Sequence, residues 1–307
     1  MAEPVALAAL MIDAAVGWPV WLYRRVGHPV GSFARIIDGC ERRWNDHCRS
    51  AGARRLLGVG TVLALIALAS GAGWILTVAA GGFWPLLALF AWPGLAQRSL
   101  HDHVLPVARA LETGDLPAAR QAVALIVGRD VSSLDEAGVA RAAIESLSES
   151  FCDGIAAPLF WLLVAGLPGL WVYKGINTAD SLIGHREERW RAFGWAAART
   201  DDLLNLIPAR IGGLLICIAG MGGFEIMLRD ARRHASPNAG WTESAMAGAL
   251  GLRLAGPVAY DGLWHDKGWI GDGRAGATAA DIRRALSIYR RACLLLWAIA
   301  GGIAWAL

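Results

Sequence analysis

Between Glu145 and Arg210 the sequence sets three groups of polar side chains against apolar runs. Glu145, Glu149 and Asp153 recur at i, i+4 and i+8, so a helix would stack them on one face about 6 Å apart. Like charges at that spacing destabilise one another unless a cation or a basic partner sits among them. Two arrangements satisfy this: a solvated acidic face, or a Mg²⁺ site for phosphate oxygens, because Mg²⁺ takes one or two carboxylates and completes its shell with phosphates. Nineteen uncharged residues, 155–173, then lead to Lys174, either a snorkelling anchor at the headgroups or a point charge for a phosphate. Asn177 and Asp180 follow at one-turn spacing and offer one neutral and one charged oxygen. Glu188 and Arg189 fit an ordinary surface pair, and His185 has no partner at metal-ligand spacing. Asp201, Asp202 and Asn205 form an Asp-Asp-x-x-Asn set at the mouth of the next apolar run. Acids at a helix start gain from the dipole, whereas two acids and an amide on one turn also fit a metal or an amine. Arg210 lies inside that run, where a charge costs at least a few kcal/mol, and is expected to pair with a nearby acid or an anionic substrate.

The elements holding these groups are membrane-grade. Hydrophobic residues make up 55% of the 307 and charged ones 18%, against roughly 45–50% apolar in soluble domains. Leu56 to Gln97 contain no Asp, Glu, Lys or Arg, room for two spanning helices of about 20 residues around a turn near Gly81-Gly82. Many of the fifteen tryptophans lie near apolar segment ends, as interfacial belts require. Apolar segments are expected at about 4–23, 56–78, 81–97, 155–173, 203–228 and 292–307, giving an all-α polytopic membrane protein of five or six hydrophobic helices in one domain. The first segment has no basic flank before it and carries Asp13 inside, which predicts a retained helix. Five cysteines without CxxC spacing indicate neither a disulfide framework nor a zinc site. A net charge of +3 without a basic, aromatic-interleaved repeat excludes an argument for nucleic acid.

All 29 Lys and Arg except Arg210 fall in four polar segments, 24–55, 98–154, 174–202 and 229–291. The positive-inside rule puts these in the cytoplasm. A simple crossing by 155–173 would strand 174–202 outside. Pro158 and Gly166-Leu-Pro168-Gly169 therefore predict a broken or re-entrant segment, and Pro208, Gly212-Gly213 and Gly222-Gly223 predict a discontinuous 203–228. In 98–154, Thr113-Gly114-Asp115 separates two amphipathic helices. Ser133-Leu-Asp-Glu136 has the capping-box pattern of a third helix, which would end at Gly154.

Further polar blocks are His28-Pro29-Val30 and Ser236-Pro-Asn238-Ala-Gly240-Trp241, the latter a turn that suits either a ligand or a helix entry. With Glu145-Ser-Leu-Ser-Glu149 to Asp153-Gly154, Tyr173-Lys174-Gly-Ile-Asn177-Thr-Ala-Asp180-Ser181, Gly184 with Glu188-Arg189, and Asp201-Asp202 to Pro208-Ala-Arg210, these blocks resemble, in this order, the CobD/CbiB family of adenosylcobinamide-phosphate synthases. The resemblance runs from about residue 5 to 300. Ser150 stands where the family commonly has Asn, and His185 where Tyr is usual.

The resemblance implies an inner-membrane, ATP-dependent amide ligase that faces the cytoplasm. It would join adenosylcobyric acid to aminopropanol or aminopropanol O-phosphate. It also implies Mg²⁺ with ATP as co-substrate at Glu145, Glu149 and Asp153. Lys174 and Arg210 would hold phosphate or carboxylate oxygens, and Asp180, Asp201 or Asp202 would orient or deprotonate the amine. His28, Asn177, Ser181, Glu188, Arg189, Asn205, Asn238 and Trp241 would bind substrate or ATP. A homo-oligomer or a pathway enzyme docked on 229–291 is compatible with this reading.

Two rivals are weaker. Asp153-Gly-Ile-Ala-Ala157 resembles the start of the CDP-alcohol phosphotransferase signature, but Pro158 stands where Arg is required and the later Gly and Asp residues are missing. Membrane prenyl transferases also place acids at membrane mouths. A corrinoid or ion transporter would need charges in mid-span, and no paired inverted halves are evident.

Overall fold

The computed structural model describes residues 4–306 except 129, 257, 261–262 and 266–267, so Pro257 and Asp261-Gly262 of the polar stretch after Gly251 lie outside the described residues. The helices in chain order are α1 Val5–Val16, α2 Val20–Val26, α3 Pro29–Trp44, α4 Ala51–Ala80, α5 Trp84–Ala91, α6 Gln97–Glu112, α7 Leu116–Ala124 and α8 Glu136–Phe151. They continue with α9 Ala157–Ile183, α10 Glu188–Arg191, α11 Trp195–Leu204, α12 Leu206–Gly220, α13 Phe224–Asp230, α14 Ala239–Leu250 and α15 Ala279–Ala306. The expected all-α class holds, with one small addition. Short antiparallel pairs join β1 Leu254–Ala255 to β4 Trp269–Ile270, and β2 Val258–Tyr260 to β3 Leu263–His265. Strands this short show no usable alternation in sequence.

Ala51–Ala80, the helical run Glu136–Ile183 and Ala279–Ala306 are long and apolar enough to cross a membrane, and two bent pairs raise the total to five. The expected single helix at 4–23 is such a pair, α1 and α2 meeting at 106°. Gly17 there takes φ 60°, ψ −153°, and Pro19 cannot continue a helix. The expected span at 81–97 is instead the eight-residue α5, closed by a turn at Trp92–Gly94. At about 12 Å it is too short to cross. The predicted turn before it is present, with Gly81 left-handed at the end of α4. The run 203–228 is discontinuous as expected: α11 and α12 bend by 51° at Asn205, and α12 ends before Met221-Gly222-Gly223.

Segment 155–173 is also broken, at Ala165 and Gly166 inside α9. The helix then resumes and carries Lys174, Asn177, Asp180 and Ser181 on its second half, past the point where the apolar run ends. At the break lies a cavity of about 510 Å³, lined by residues including Trp74, Leu162 and Pro168 and by no ionisable side chain. Residues 98–154 form three helices as expected, with two corrections. Asp135, not Ser133, caps α8 by accepting the Gly138 N–H at 2.7 Å. Helical structure also does not stop at Gly154, because a π turn, Cys152–Ala156, follows α8 directly.

The chain divides into two compact units, Met1–Ala96 with Ala157–Asn205 and Ala300–Leu307, and Gln97–Ala156 with Leu206–Ile299. In the first unit α3, α4, α9 and α11 bury Ile37, Val62, Leu65, Ile176, Ile183 and Phe193 together, each contributing about 1.5–3 kcal/mol of apolar transfer. In the second, α12 and α14 cross closely because Gly212 and Gly213 face Thr242 and the Trp241 carbonyl.

Gly166 sits at φ 62°, ψ −155°, a region essentially restricted to glycine. Gly166→Ala is expected to lower stability by about 1–3 kcal/mol, read as a fall in the thermal midpoint of detergent-purified protein. An unchanged midpoint would mean that the break does not depend on this backbone.

Candidate functional site

In the first unit, the helix segment after the break brings one face of α9 against the end of α11. Asp201 is buried, and both of its oxygens are engaged. Asn177 Nδ2 donates to Oδ1 at 3.3 Å and Asn205 Nδ2 donates to Oδ2 at 3.0 Å. Asn205 is in turn fixed by Tyr173, whose hydroxyl donates to Asn205 Oδ1 at 3.0 Å and which is itself fully buried. The expected Asp201/Asp202/Asn205 set is therefore assembled and joined by the predicted Asn177, with Tyr173 added. Its position differs from the expectation. The two acids lie in the last turn of α11 rather than at a helix start. The dipole opposes them there, and amide donors take over the stabilising role.

Asp202 is partly exposed and meets Arg199 at 3.4 Å. Asp180 is half-buried, and its Oδ1 lies so close over Gly184 that a Cβ there would come within 1.9 Å of it. The Asp180 backbone carbonyl, 2.6 Å from such a Cβ, leaves no room for a larger residue at Gly184. Ser181 is exposed and its hydroxyl donates back to the Asn177 carbonyl at 2.9 Å.

Two further predicted binding residues have structural duties. Glu188 is exposed. Arg189 Nε and Nη2 donate to Glu41 Oε1 at 3.0 and 2.9 Å, and Asn45 Nδ2 donates to the Arg189 carbonyl at 3.0 Å. Arg189 thereby fastens α10 to α3. Glu41, 148 residues away, had no motif to mark it. His28 caps α3, its Nδ1 accepting the Val30 N–H at 3.2 Å. The neutral ring therefore carries its proton on Nε2. Burial, and then the nearby Lys174 charge, push the His28 pKa down from 6.5 to about 4.

The second unit holds the remaining groups. Glu145 Oε1 accepts the Ala255 N–H at 2.8 Å, while Glu149 is exposed and Asp153 half-buried. The π turn begins between Glu149 and Asp153, so the uninterrupted α-helix that the i, i+4, i+8 spacing assumes ends before the third acid. Among the described residues no three His, Cys, Asp or Glu side chains gather closely enough to hold a metal ion by themselves.

Arg210 does not pair with an acid: among the described residues no carboxylate lies within 4 Å of it. Its Nη1 donates to Asn238 Oδ1 at 2.6 Å and its guanidinium stacks 4.7 Å from the Trp241 ring centroid. The turn between these partners is built from side chains. Ser236 Oγ accepts from the Asn238 and Ala239 N–H groups at 3.2 and 3.3 Å, and His234 Nδ1 accepts from Ser236 N–H at 3.0 Å. His234 Nε2 then faces the buried Glu243 at 3.6 Å. The sequence reading missed Glu243. Its signal was the polar run Thr242-Glu243-Ser244 inside an otherwise small-residue, apolar helix.

The comparisons with known proteins agree with these motifs. The CobD/Cbib protein family model matches residues 6–289. A cobalamin biosynthesis protein CobD from Rhodobacter capsulatus is 49% identical over 304 residues, covering 97% of this chain and 96% of that protein. Proteins of the same name from Sinorhizobium sp and Brucella anthropi are 45% identical over 313 residues and 46% over 297, covering 96% and 92% of this chain and 97% and 90% of their own lengths. No solved structure matches the chain.

Because the folded pKa of His28 lies below its ordinary value, the unfolded chain binds a proton between about pH 6.5 and 4 that the folded chain does not. Stability is then fully present above pH 6.5 and falls as the pH drops through this window. The wild type minus His28→Gln difference in thermal midpoint is expected to shrink over the same range. A flat difference would show that His28 titrates normally.

Proposed function

The chain belongs to the CobD/CbiB family, and from that premise we propose that its step in cobalamin biosynthesis is ATP-dependent amide formation. The free propionate of adenosylcobyric acid is the acyl donor, and aminopropanol or its O-phosphate the amine. A carboxylate does not condense with an amine unaided in water. One carboxylate oxygen therefore attacks the terminal phosphorus of ATP, and ADP leaves. The amine nitrogen then attacks the acyl carbon, the C–N bond forms, phosphate departs and one amine proton is released. The protein's part is positioning and charge neutralisation.

One observation carries this reading. Residues from two separate family blocks, Asn177 on α9 and Asp201 with Asn205 at the end of α11, meet in one buried hydrogen-bonded network. Asp201, held through both oxygens, is a positioning group in this scheme. Asp180 and the more exposed Asp202 are the carboxylates able to take the amine proton. Lys174 and Arg210 hold phosphate or carboxylate oxygens, with Asn238 and Trp241 fixing the Arg210 guanidinium.

The acid set of the second unit suits Mg²⁺ bound with a nucleotide rather than by protein alone. No three-residue cage forms among the described residues, and Mg²⁺ characteristically takes one or two carboxylates with substrate phosphates. Glu149 and Asp153 would hold the ion, with Glu145 committed through one oxygen to the Ala255 N–H. When bound, Mg²⁺ supplies neutralisation of the phosphate charge.

The decisive assay offers purified protein adenosylcobyric acid, ATP and both amines, and follows ADP release and which amine disappears. Lys174→Ala and Asp202→Ala are expected to lower turnover roughly a hundredfold, with Glu149→Ala raising the Mg²⁺ requirement. Full turnover in both Glu149→Ala and Asp202→Ala would overturn the site. The basic segments favour a cytoplasmic site, so a reporter fused after residue 190 is expected to read as cytoplasmic. An extracytoplasmic signal would mean that 155–173 crosses the membrane simply and does not return.

A further inference from the structure

Several arginines of the second unit have carboxylate partners. Arg229 and Arg233 meet the fully buried Asp230. Arg274 and Arg284 meet Asp281, and Arg283 meets Glu112. Arg141 on α8 and Arg253 just before β1 are different. Neither has a carboxylate within 4 Å among the described residues, both are half-buried, and both guanidinium carbons lie 5.5 Å from the centroid of one ring, Trp269.

Two cations over one indole repel each other, and the face of a single ring compensates only part of their charge. Arg141 Nη1 finds the Ala275 carbonyl at 2.8 Å, while Arg253 Nε is buried without an acceptor. The surrounding backbone is built to keep this pair in place. Glu145, one turn after Arg141, accepts the N–H of Ala255, two residues after Arg253. The β1–β4 register puts Ala255 opposite Trp269. Gly256, at φ +83°, lies so flat on the indole that a Cβ would come within 2.7 Å of it.

We propose that Arg141 and Arg253, seated on Trp269, form a binding site for a phosphate-bearing anion. Guanidinium forks match phosphate oxygens in geometry and charge, and an anion between the two removes their mutual repulsion. The same geometry gives Glu145 a structural duty: through Oε1 it fastens the Arg253 segment to α8. That the anion is the phosphate chain of a nucleotide rests on the ligase reading above; the existence of the site does not.

The test uses full-length protein purified in detergent and inorganic tripolyphosphate as the probe, with affinity measured by calorimetry. Wild type is expected to bind, and Arg253→Gln to bind at least roughly tenfold more weakly at an unchanged thermal midpoint. Arg253→Lys, which keeps the charge and loses the fork, is expected to fall between them, and it keeps the test open if the Gln variant does not fold. Absence of tripolyphosphate binding in wild type, or equal affinity in wild type and both variants, would overturn the site. Repeating the titration in phosphatidylcholine nanodiscs with and without phosphatidylglycerol separates the sources. Competition by phosphatidylglycerol that disappears in Arg253→Gln identifies a lipid headgroup as the anion, and unchanged affinity identifies a soluble phosphate. Amide synthesis with unaltered tripolyphosphate binding in Arg253→Gln would sink the anion site and leave the ligase standing. Arginine-dependent phosphate binding without amide synthesis would do the reverse.

Discussion

A carboxylate placed among apolar helices costs several kcal/mol unless its oxygens are hydrogen-bonded, and the rest of the first unit is arranged around meeting that cost at Asp201. Asn177 and Asn205 each present an amide to one of its oxygens, and the Tyr173 hydroxyl fixes the second amide from behind. Each donor requires its helix at a particular depth and rotation. Asn177 and Tyr173 are four residues apart and so share a face of α9, while Asn205 is four residues after Asp201 and turns back on it at the end of α11. Shifting either helix by one residue would leave a buried carboxylate oxygen without a donor. The polar network therefore fixes the register of α9 against α11 more narrowly than the surrounding aliphatic packing of Ile176, Ala179 and Ala197 could, because close-packed aliphatic side chains tolerate volume-conserving rearrangement.

The helix breaks serve the same end. An unbroken helix through 155–183 would run about 43 Å, beyond the roughly 30 Å hydrocarbon thickness. The break at Ala165–Gly166 divides it, so the second half can carry Lys174, Asn177 and Asp180 as a separate polar element. The bend at Asn205 does the corresponding work between α11 and α12. Here the residue at the break is itself part of the network, so the corner of the chain and the ligand of Asp201 are one side chain. Gly184 adds a third constraint, since a Cβ there would come within 2.6 Å of the Asp180 backbone carbonyl as well as meeting its carboxylate.

Much of this was legible in the sequence, for identifiable reasons. Helix breakers are local, so Pro158, Gly166, Pro168 and the glycines of 203–228 foretold discontinuity. Membrane character is compositional and needs no long-range information. The Lys-x-x-Asn-x-x-Asp and Asp-Asp-x-x-Asn blocks carried their spacing openly. What could not be read were pairings across the chain. Glu41 meets Arg189 over 148 residues and Glu145 meets Ala255 over 110. Neither distance leaves a periodic trace. Helical arithmetic for the acid triplet assumes an uninterrupted α-helix, and the π turn after Phe151 interrupts it before the third member. The span at 81–97 misled because hydropathy alone does not register that Pro93 and Gly94 stop a helix after two turns.

These pairings change what a motif residue signifies. Arg189, His28 and Glu145 all stand in the family's blocks, and all three are tied to the scaffold: to Glu41, to the Val30 N–H and to the Ala255 N–H. Loss of activity on replacing any of them would follow from displaced helices as readily as from lost chemistry. Asp180 is half-buried and Asp202 partly exposed, so neither is sealed in the way that Asp201 is. Asp202 meets Arg199, on its own helix, at 3.4 Å. In the proposed reaction such a carboxylate is better placed than the fully engaged Asp201 to take the amine proton.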